Sequence, residues 1–212
     1  GANSVIDIEI GESLTFNGNL RANQRVSLAS TSGNLTVNGT IAGVGGNTLR
    51  EASLRASGNL TVGTTITASD LIDFEAGGTL GTTGGATLNL SVSGSDSAIR
   101  VVSGSNLTIN TNLQARRSVE VASTGGSLNI TGTISGVGGQ TLREVDLAAA
   151  TSLSLSSNIA ATDRIRLAAG TTLTAPSLEL AVSGANGVID LSAGQNLDIA
   201  SNMRANERIR IA

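Results

Sequence analysis

The residues that could carry out chemistry in this chain are almost all carboxylates and arginines. The 212 residues include 16 Asp and Glu and 13 basic residues, and every basic residue is an arginine. His, Cys, Tyr, Trp and Lys are absent. Nucleophile–base pairs and proton shuttles are therefore restricted to carboxylates and arginine. We predict that the chain is not an enzyme and uses no cofactor.

One acidic cluster is dense enough to suggest a metal site. It consists of Asp70, Asp73 and Glu75, and carboxylate oxygens are the ligands that Ca²⁺ prefers in proteins. The cluster lacks the Gly- and Asp-rich nonapeptide spacing of calcium-binding solenoids. These three residues are the one candidate metal site of the sequence.

A glycine-rich segment, GVGGNT at Gly43–Thr48, superficially resembles a phosphate-binding loop. It contains no lysine, precedes no helical pattern and has a second copy that begins with GVGG at Gly136–Gly139. A phosphate loop needs both the lysine and the following helix. We interpret both copies as turn inserts.

The composition predicts a thin aliphatic core. Apolar residues make up 39% of the chain, but only two are aromatic, Phe16 and Phe74. A core without large aromatic rings depends on Leu, Ile, Val and Ala. The net charge is −3 and no basic run occurs, so no nucleic-acid partner is expected. No apolar stretch reaches the roughly 18 residues of a membrane helix, so no membrane insertion is expected.

The sequence contains a long internal repeat. Gly33–Glu51 reads GNLTVNGTIAGVGGNTLRE, and Gly126–Glu144 reads GSLNITGTISGVGGQTLRE, 93 residues further along. The opening Gly1–Leu14 returns at Gly184–Leu197. We predict one repetitive segment, 1–212, in which residues 3–95 and 96–185 are superrepeats and 186–212 begin a third.

Each superrepeat contains four shorter units, and nine such coils are visible. Every coil is marked by a leucine that follows Asn, Ser or Thr, and the alternation of short and long spacings itself repeats. The marker leucines are Leu14, Leu35, Leu60, Leu80, Leu107, Leu128, Leu153, Leu173 and Leu197. The polar residues before them are expected to stack at the corners of the coils.

Each coil carries an apolar code typical of three short strands. Leu35-Thr36-Val37 alternates, Ile41 follows four positions later, and a second alternating strand such as Val26-Ser27-Leu28 completes a coil. A coil of this size cannot bury its own apolar face, but a stack of coils can. We predict an all-β, single-stranded parallel β-helix, right-handed as parallel crossovers usually are. Nine coils would form a rod on the order of 43 Å long.

Two coils in each superrepeat are longer than the others. One contains the GVGG insert, and the other contains an additional alternating run, Leu88–Val92 or Leu178–Val182. Insertions in solenoids collect on one face. We expect both features to bulge from the rod and to be the best candidates for surface function.

A charged column is predicted to run down the outside of the second alternating strands. Arg100/Glu120, Asp146/Arg166, Arg166/Asp190 and Asp190/Arg210 are neighbours of opposite charge, and Glu120/Asp146 are neighbours of like charge. Exposed cross-strand pairs contribute about 0.2–1 kcal/mol each. We interpret these six residues as a structural ladder that sets register, and a charged binding stripe is the alternative.

The phrases GNLTVNGTI (Gly33–Ile41) and SGNLTVGTTI (Ser57–Ile66), with their Gly-Asn corners, resemble the filamentous haemagglutinin class of bacterial exoproteins. The resemblance covers essentially the whole chain. It implies export by a two-partner system, a fibre shape, and a role in adhesion, biofilm or toxin presentation. The secretion domain of that family carries Asn-Pro-Asn motifs, and Pro176 is the only proline here, so the resemblance extends to the repeats alone.

These observations leave several functions open. The leading hypothesis is a structural shaft, excised from a longer fibre, at the bacterial surface or outside the cell. The alternatives are a filament subunit that stacks end to end on itself, and a module that binds polysaccharide through the bulged coils. Expected partners are further repeats of the parent chain or second copies, with surface glycans or host receptors as further candidates.

Overall fold

The computed structural model describes residues 3–63, 65–83 and 89–212. Within those ranges the chain forms 26 β-strands and no α-helix, and every strand pair is parallel. The strands stack as a β-solenoid of about ten turns. The predicted all-β, parallel β-helical fold of about nine coils is therefore confirmed.

One face of the solenoid is built from ten long strands, one for each turn. Their residues alternate between core and solvent: Val26 and Leu28 are fully buried, whereas Ser27 between them faces outward. The long strands are β1 (Val5–Ile10), β4 (Arg25–Ser30), β7 (Leu49–Ala56), β9 (Ile66–Ala76), β12 (Ala98–Ser103), β15 (Ser118–Ser123), β18 (Leu142–Ala149), β20 (Ile159–Ala169), β23 (Val188–Ala193) and β26 (Arg208–Ile211).

A second face is built from the short strands that begin near the marker leucines. It is divided into a four-stranded and a five-stranded sheet, because β10 and β13 are not paired. The first sheet contains β2 (Leu14–Phe16), β5 (Leu35–Val37), β8 (Leu60–Val62) and β10 (Leu80–Thr82), and the second contains β13 (Leu107–Ile109), β16 (Leu128–Ile130), β19 (Leu153–Leu155), β21 (Thr172–Ala175) and β24 (Asn196–Ile199).

The third face is formed by middle strands and by the first residues of β9 and β20. These two strands have 11 residues each, because they continue without a corner from the middle face into the long face. The remaining middle strands are β3 (Leu20–Arg21), β6 (Ile41–Ala42), β11 (Leu90–Val92), β14 (Leu113–Gln114), β17 (Ile134–Ser135), β22 (Glu179–Val182) and β25 (Asn202–Arg204).

The alternating runs that we expected to bulge from the rod do not do so. Leu90 pairs with Ile66 on one side and with Leu113 on the other, so β11 is the ordinary middle strand of its turn. Leu180 of β22 occupies the equivalent place and is fully buried. The prediction was wrong because the middle strand of these two turns had not been recognised in the sequence. Leu88 lies outside the described residues.

The core is one continuous column of aliphatic side chains. Leu35 stacks on Leu60, and Leu128 stacks on Leu153, each in register with its copy one turn away. Phe74 is the largest fully buried side chain and has no exposed surface. Identical small side chains repeated at the turn spacing fill a narrow interior, which explains why the chain needs so few aromatic rings.

The polar corners form a ladder between turns. Asn34 Oδ1 accepts a hydrogen bond from the Asn59 amide at 2.7 Å, and Asn59 Oδ1 accepts one from the Thr79 amide at 2.9 Å. The stacked corner residues therefore bind the backbone of the next turn more than they bind each other's side chains. This ladder satisfies amide groups that would otherwise lie at a corner without a partner.

The GVGG inserts leave the stack as exposed turns. The Asn47 amide donates to the Val44 carbonyl at 3.2 Å, and the two central glycines have φ values of 64° and 82°. Both central residues of such a turn need positive φ, which glycine adopts without strain. Because of this insert, β6 pairs only with β3 among the described strands, and the insert after β17 has the same effect.

Candidate functional site: the charged face and the turn junctions

The charged column stands in the register that the sequence suggests. Arg100 lies between Asp73 and Glu120, Asp146 lies between Glu120 and Arg166, and Asp190 follows Arg166. Arg210 then lies next to Asp190 at the last turn. The pleat of the parallel sheet brings these side chains to the same outer surface.

The contacts within the column are less regular than its register. Arg166 Nη1 lies 2.9 Å from Asp146 Oδ1, whereas Arg100 Nε lies 3.9 Å from Glu120 Oε1. Asp190 forms no ion pair with Arg166 or with Arg210 among the described residues, and its nearest cation is Arg208, at 3.5 Å. Register alone therefore does not determine which charged side chains of adjacent turns form ion pairs.

Diagonal ion pairs supply the contacts that the sequence interpretation missed. Arg25 Nη2 lies 2.7 Å from Asp7 Oδ2, and Arg55 Nη2 lies 2.7 Å from Asp73 Oδ2. In both pairs the arginine is two positions away from the residue that stacks on the aspartate. Diagonal neighbours on one face are within reach of a long side chain. The sequence signal for these pairs is an arginine two positions away from the residue that stacks on an aspartate of the adjacent turn.

The three candidate metal-binding carboxylates each form an ion pair with an arginine and do not converge on a common point. Asp73 is only 6% exposed and accepts hydrogen bonds from Arg55 at 2.7 Å and from Arg100 at 2.9 Å. Glu75 lies 3.4 Å from the same Arg100, and Asp70 binds Arg50. Within the described ranges no group of three or more acidic side chains is placed to hold a metal ion.

Asp70 belongs to an ion pair that occurs in both superrepeats. Arg50 Nη2 lies 2.6 Å from Asp70 Oδ2, and Arg143 Nη2 lies 2.8 Å from Asp163 Oδ2. Hydrogen bonds from Ser69 and then from Arg50 lower the pKa of the Asp70 carboxyl below its ordinary value of 3.8. The hydrogen bond from Arg143 lowers the pKa of Asp163 in the same way. Both carboxylates therefore stay ionised in mild acid.

The unpaired edges of β10 and β13 frame a cleft. Its volume is about 280 Å³, and Phe74 and Val101 lie at its base in the core. The corner just before it is closed, because the Ser105 amide donates to the Gly78 carbonyl at 3.1 Å. The corner ladder also stops here, since no hydrogen bond joins Thr79 to Asn106 in the part of the chain that is described. The two turns are therefore joined by a hydrogen bond at the corner and are separated by the cleft along β10 and β13.

The site chemistry consists of arginine–carboxylate pairing and a small cleft that both apolar and polar residues line. The ion pairs and the cleft are neighbours, because Asp73 and Phe74 are consecutive residues whose side chains face opposite sides of β9. No described helix is long and apolar enough to cross a membrane. Comparisons with protein-family models, with curated proteins and with solved structures each gave no match.

Proposed function

We propose that this chain is a structural shaft segment, a rigid spacer within a secreted or cell-surface fibrous bacterial protein. The observation that carries the proposal is the continuity of the long face. Ten strands are paired turn by turn from β1 to β26 without an interruption. At a strand spacing of about 4.8 Å, ten turns give a rod about 48 Å long.

A shaft must be stiff, and the charges on its outer surface should be paired along its length. The continuous apolar column supplies stiffness, because bending would separate stacked side chains such as Leu128 and Leu153. The outer face pairs most of its carboxylates with arginines in adjacent turns, as Asp146 and Arg166 do. The resemblance of the Gly-Asn corners to filamentous haemagglutinin exoproteins supports the bacterial surface as the location and adhesion as the role of the whole fibre.

The test is to change the length of the rod by whole superrepeats. A chain in which residues 96–185 are duplicated in phase adds four turns, so the rod should lengthen by about 19 Å. Small-angle scattering should give the same cross-section and a longer maximum dimension. A compact particle of unchanged length would overturn the proposal, and so would polysaccharide turnover that disappears in Asp73→Asn.

A second candidate function is a filament subunit that stacks end to end on copies of itself. The exposed large apolar side chains among the described residues are Val5, Ile10, Leu197, Ile209 and Ile211, and all lie in β1, β24 or β26. Stacking of a further turn would bury them, and unpaired strand edges are templates for pairing.

Electron microscopy of the purified chain separates the two functions. Discrete rods about 5 nm long favour the shaft, whereas long unbranched fibres favour the filament. If fibres form, Ile209→Lys should abolish them. Arg166→Lys, a change in the middle of the rod, is the matched control and should leave the fibres intact.

A further inference from the structure

The two GVGG turns rest on equivalent corners with different side chains. In the first superrepeat the corner is Asn23, whose amide donates to Ser4 Oγ at 2.9 Å. In the second it is Arg116, 93 residues further along, whose amide donates to Ser97 Oγ at 3.0 Å. The backbone is thus anchored identically, and the side chains can be compared directly.

The exchange of Asn23 for Arg116 removes an acceptor. Asn23 Oδ1 accepts a hydrogen bond from the Val44 amide of the first GVGG turn at 2.7 Å. An arginine has donors only, and the equivalent amide of Val137 makes no hydrogen bond within the described part of the chain. Arg116 Nε is buried and likewise has no partner there. The first superrepeat therefore has a paired donor and acceptor at this corner, the Val44 amide and Asn23 Oδ1. The second superrepeat has two donors without an acceptor, the Val137 amide and Arg116 Nε.

The Arg116 side chain extends to the turn itself. One of its terminal nitrogens, Nη2, lies 3.5 Å from the point that a Cβ on Gly138 would occupy. Gly138 and Gly139 have φ values of 63° and 75°, and the Gln140 amide closes the turn on the Val137 carbonyl at 3.3 Å. Backbone amides in such tight turns are a common component of anion-binding concavities.

A second unpaired cation adjoins the first. Arg117 follows Arg116, and in the next turn the amides of Arg143 and Glu144 donate to the carbonyls of Arg116 and Arg117, both at 2.9 Å. Arg143 is paired with Asp163 at 2.8 Å. Neither Arg116 nor Arg117 forms an ion pair with any carboxylate in the described ranges, although Glu144 is close in the fold.

We propose that Arg116, Arg117 and the turn at Gly136–Gly139 form a binding site for an oxyanion, that is, a sulfate, phosphate or carboxylate group. The anion supplies the acceptor that the Arg116 Nε and the Val137 amide lack, and Arg117 adds a second positive charge. Charge-assisted hydrogen bonds to guanidinium groups are the strong class. The first superrepeat, with Asn23 and Gln24 at these places, has no such site. This inference is independent of the shaft proposal.

The chain offers its own matched control for a titration by NMR. Sodium sulfate is added to the full chain at constant ionic strength, and the amides of Val137 and Gly138 are followed beside those of Val44 and Gly45. Saturable shifts are expected at Val137 and Gly138 alone. Equal shifts at both turns, or no saturation, would overturn the proposal.

Two variants exchange the corners between the superrepeats. Arg116→Asn with Arg117→Gln recreates the first corner and should weaken sulfate binding by more than about tenfold. Asn23→Arg with Gln24→Arg should create a second site that shifts Val44 and Gly45. Both variants place residues that the fold already accommodates, so both should fold, and Asn23→Arg should unfold at a somewhat lower temperature because the Val44 amide loses its acceptor. Sulfate shifts that persist at Val137 in the first variant would contradict the assignment.

A further pair of titrations identifies the source of the oxyanion. Dextran sulfate and polygalacturonate carry the group on a polymer, and neutral dextran serves as the blank. Shifts of Val137 with either acidic polymer, lost in Arg116→Asn with Arg117→Gln, identify a polymer-borne anion. Shifts with sodium sulfate but not with the polymers identify a free anion. Shifts with neutral dextran of equal size would overturn the proposal.

Discussion

Two turn junctions at equivalent places in the superrepeats close differently. At the first, which we call the open junction, β10 and β13 are not paired, and the cleft above Phe74 separates them. At the second, the closed junction, β21 pairs with β24 over four residues, from Thr172 to Ala175. The long face continues across both junctions, since β9 pairs with β12 and β20 pairs with β23.

The ion pairs of the long face also differ between the two junctions, but in the opposite sense to the strand pairing of the short face. At the open junction Arg100 contacts both Asp73 and Glu75, at 2.9 and 3.4 Å. At the closed junction Arg166 and Asp190 stand in register but form no ion pair. Of these two junctions, the one that lacks strand pairing on the short face has ion pairs across the long face, whereas no ion pair joins β20 to β23 among the described residues. The difference teaches that one repeated backbone can be held together by hydrogen bonds at one turn and partly by charge at another.

The largest expected effect comes from removing a marker leucine at each junction. Leu173 at the closed junction is fully buried, whereas Leu80 at the open junction is partly exposed. Leu173→Ala should lower the free energy of unfolding by about 2–5 kcal/mol, and Leu80→Ala by about half as much. Urea denaturation followed by circular dichroism measures both. Equal losses would show that the open junction is as tightly packed as the closed one.

A smaller effect is expected from the buried carboxylate of the open junction. Asp73→Asn leaves Arg55 and Arg100 without their common partner and should destabilise the fold by about 1–3 kcal/mol. Asp190→Asn at the closed junction removes one contact of 3.5 Å and should stay within about 0.5 kcal/mol. The same urea experiment compares the two. A reversed order would mean that charge does not stabilise the open junction.

Hydrogen exchange sharpens the comparison at single amides. The pairing of Leu60 with Leu80 directs the Leu80 and Thr82 amides towards the next turn, where no strand pairs with them. The Leu173 and Ala175 amides face β24. Exchange at Leu80 and Thr82 should be faster by about tenfold or more. Equal protection would show that the open junction closes in solution.

The smallest effect concerns a feature on which the superrepeats agree. The pKa of Asp70 and that of Asp163 are lowered, by hydrogen bonds from Ser69 and Arg50 and from Arg143 respectively. A carboxyl with a lowered folded-state pKa contributes stability above its unfolded pKa and loses it as pH falls through the folded pKa. The thermal midpoint should therefore drop as pH falls below about 3.8.

The matched variants test the two ion pairs separately. Asp70→Asn and Asp163→Asn should each flatten the acid dependence slightly and to the same extent, because both pairs are exposed to solvent. Thermal scans between about pH 2 and pH 6 measure this. An acid dependence that neither variant alters would place the sensitive carboxylates elsewhere.

The stack of turns could be predicted from the sequence because its signal is periodic. The marker leucines and the charged column from Arg100 to Arg210 lie in the register that their spacing suggests. The middle strands of two turns escaped prediction, because Leu90 and Leu180 follow a longer connection than Ile66 does. The acidic cluster was recognised as a cluster, but its arginine partners were not, since they approach from the turns before and after it.

The sequence by itself determined which residues face inward. A one-residue slip would turn every buried side chain outward, so the alternation of Leu, Val and Ile with polar residues allows only one register. The tertiary structure decided how the surface is connected: that Arg55 reaches diagonally to Asp73, that β10 and β13 stay apart, and that Arg116 and Val137 present donors without an acceptor. The physical reason is that an inward position depends on local alternation, whereas a contact between turns depends on the reach of side chains that are separated by a whole turn of chain.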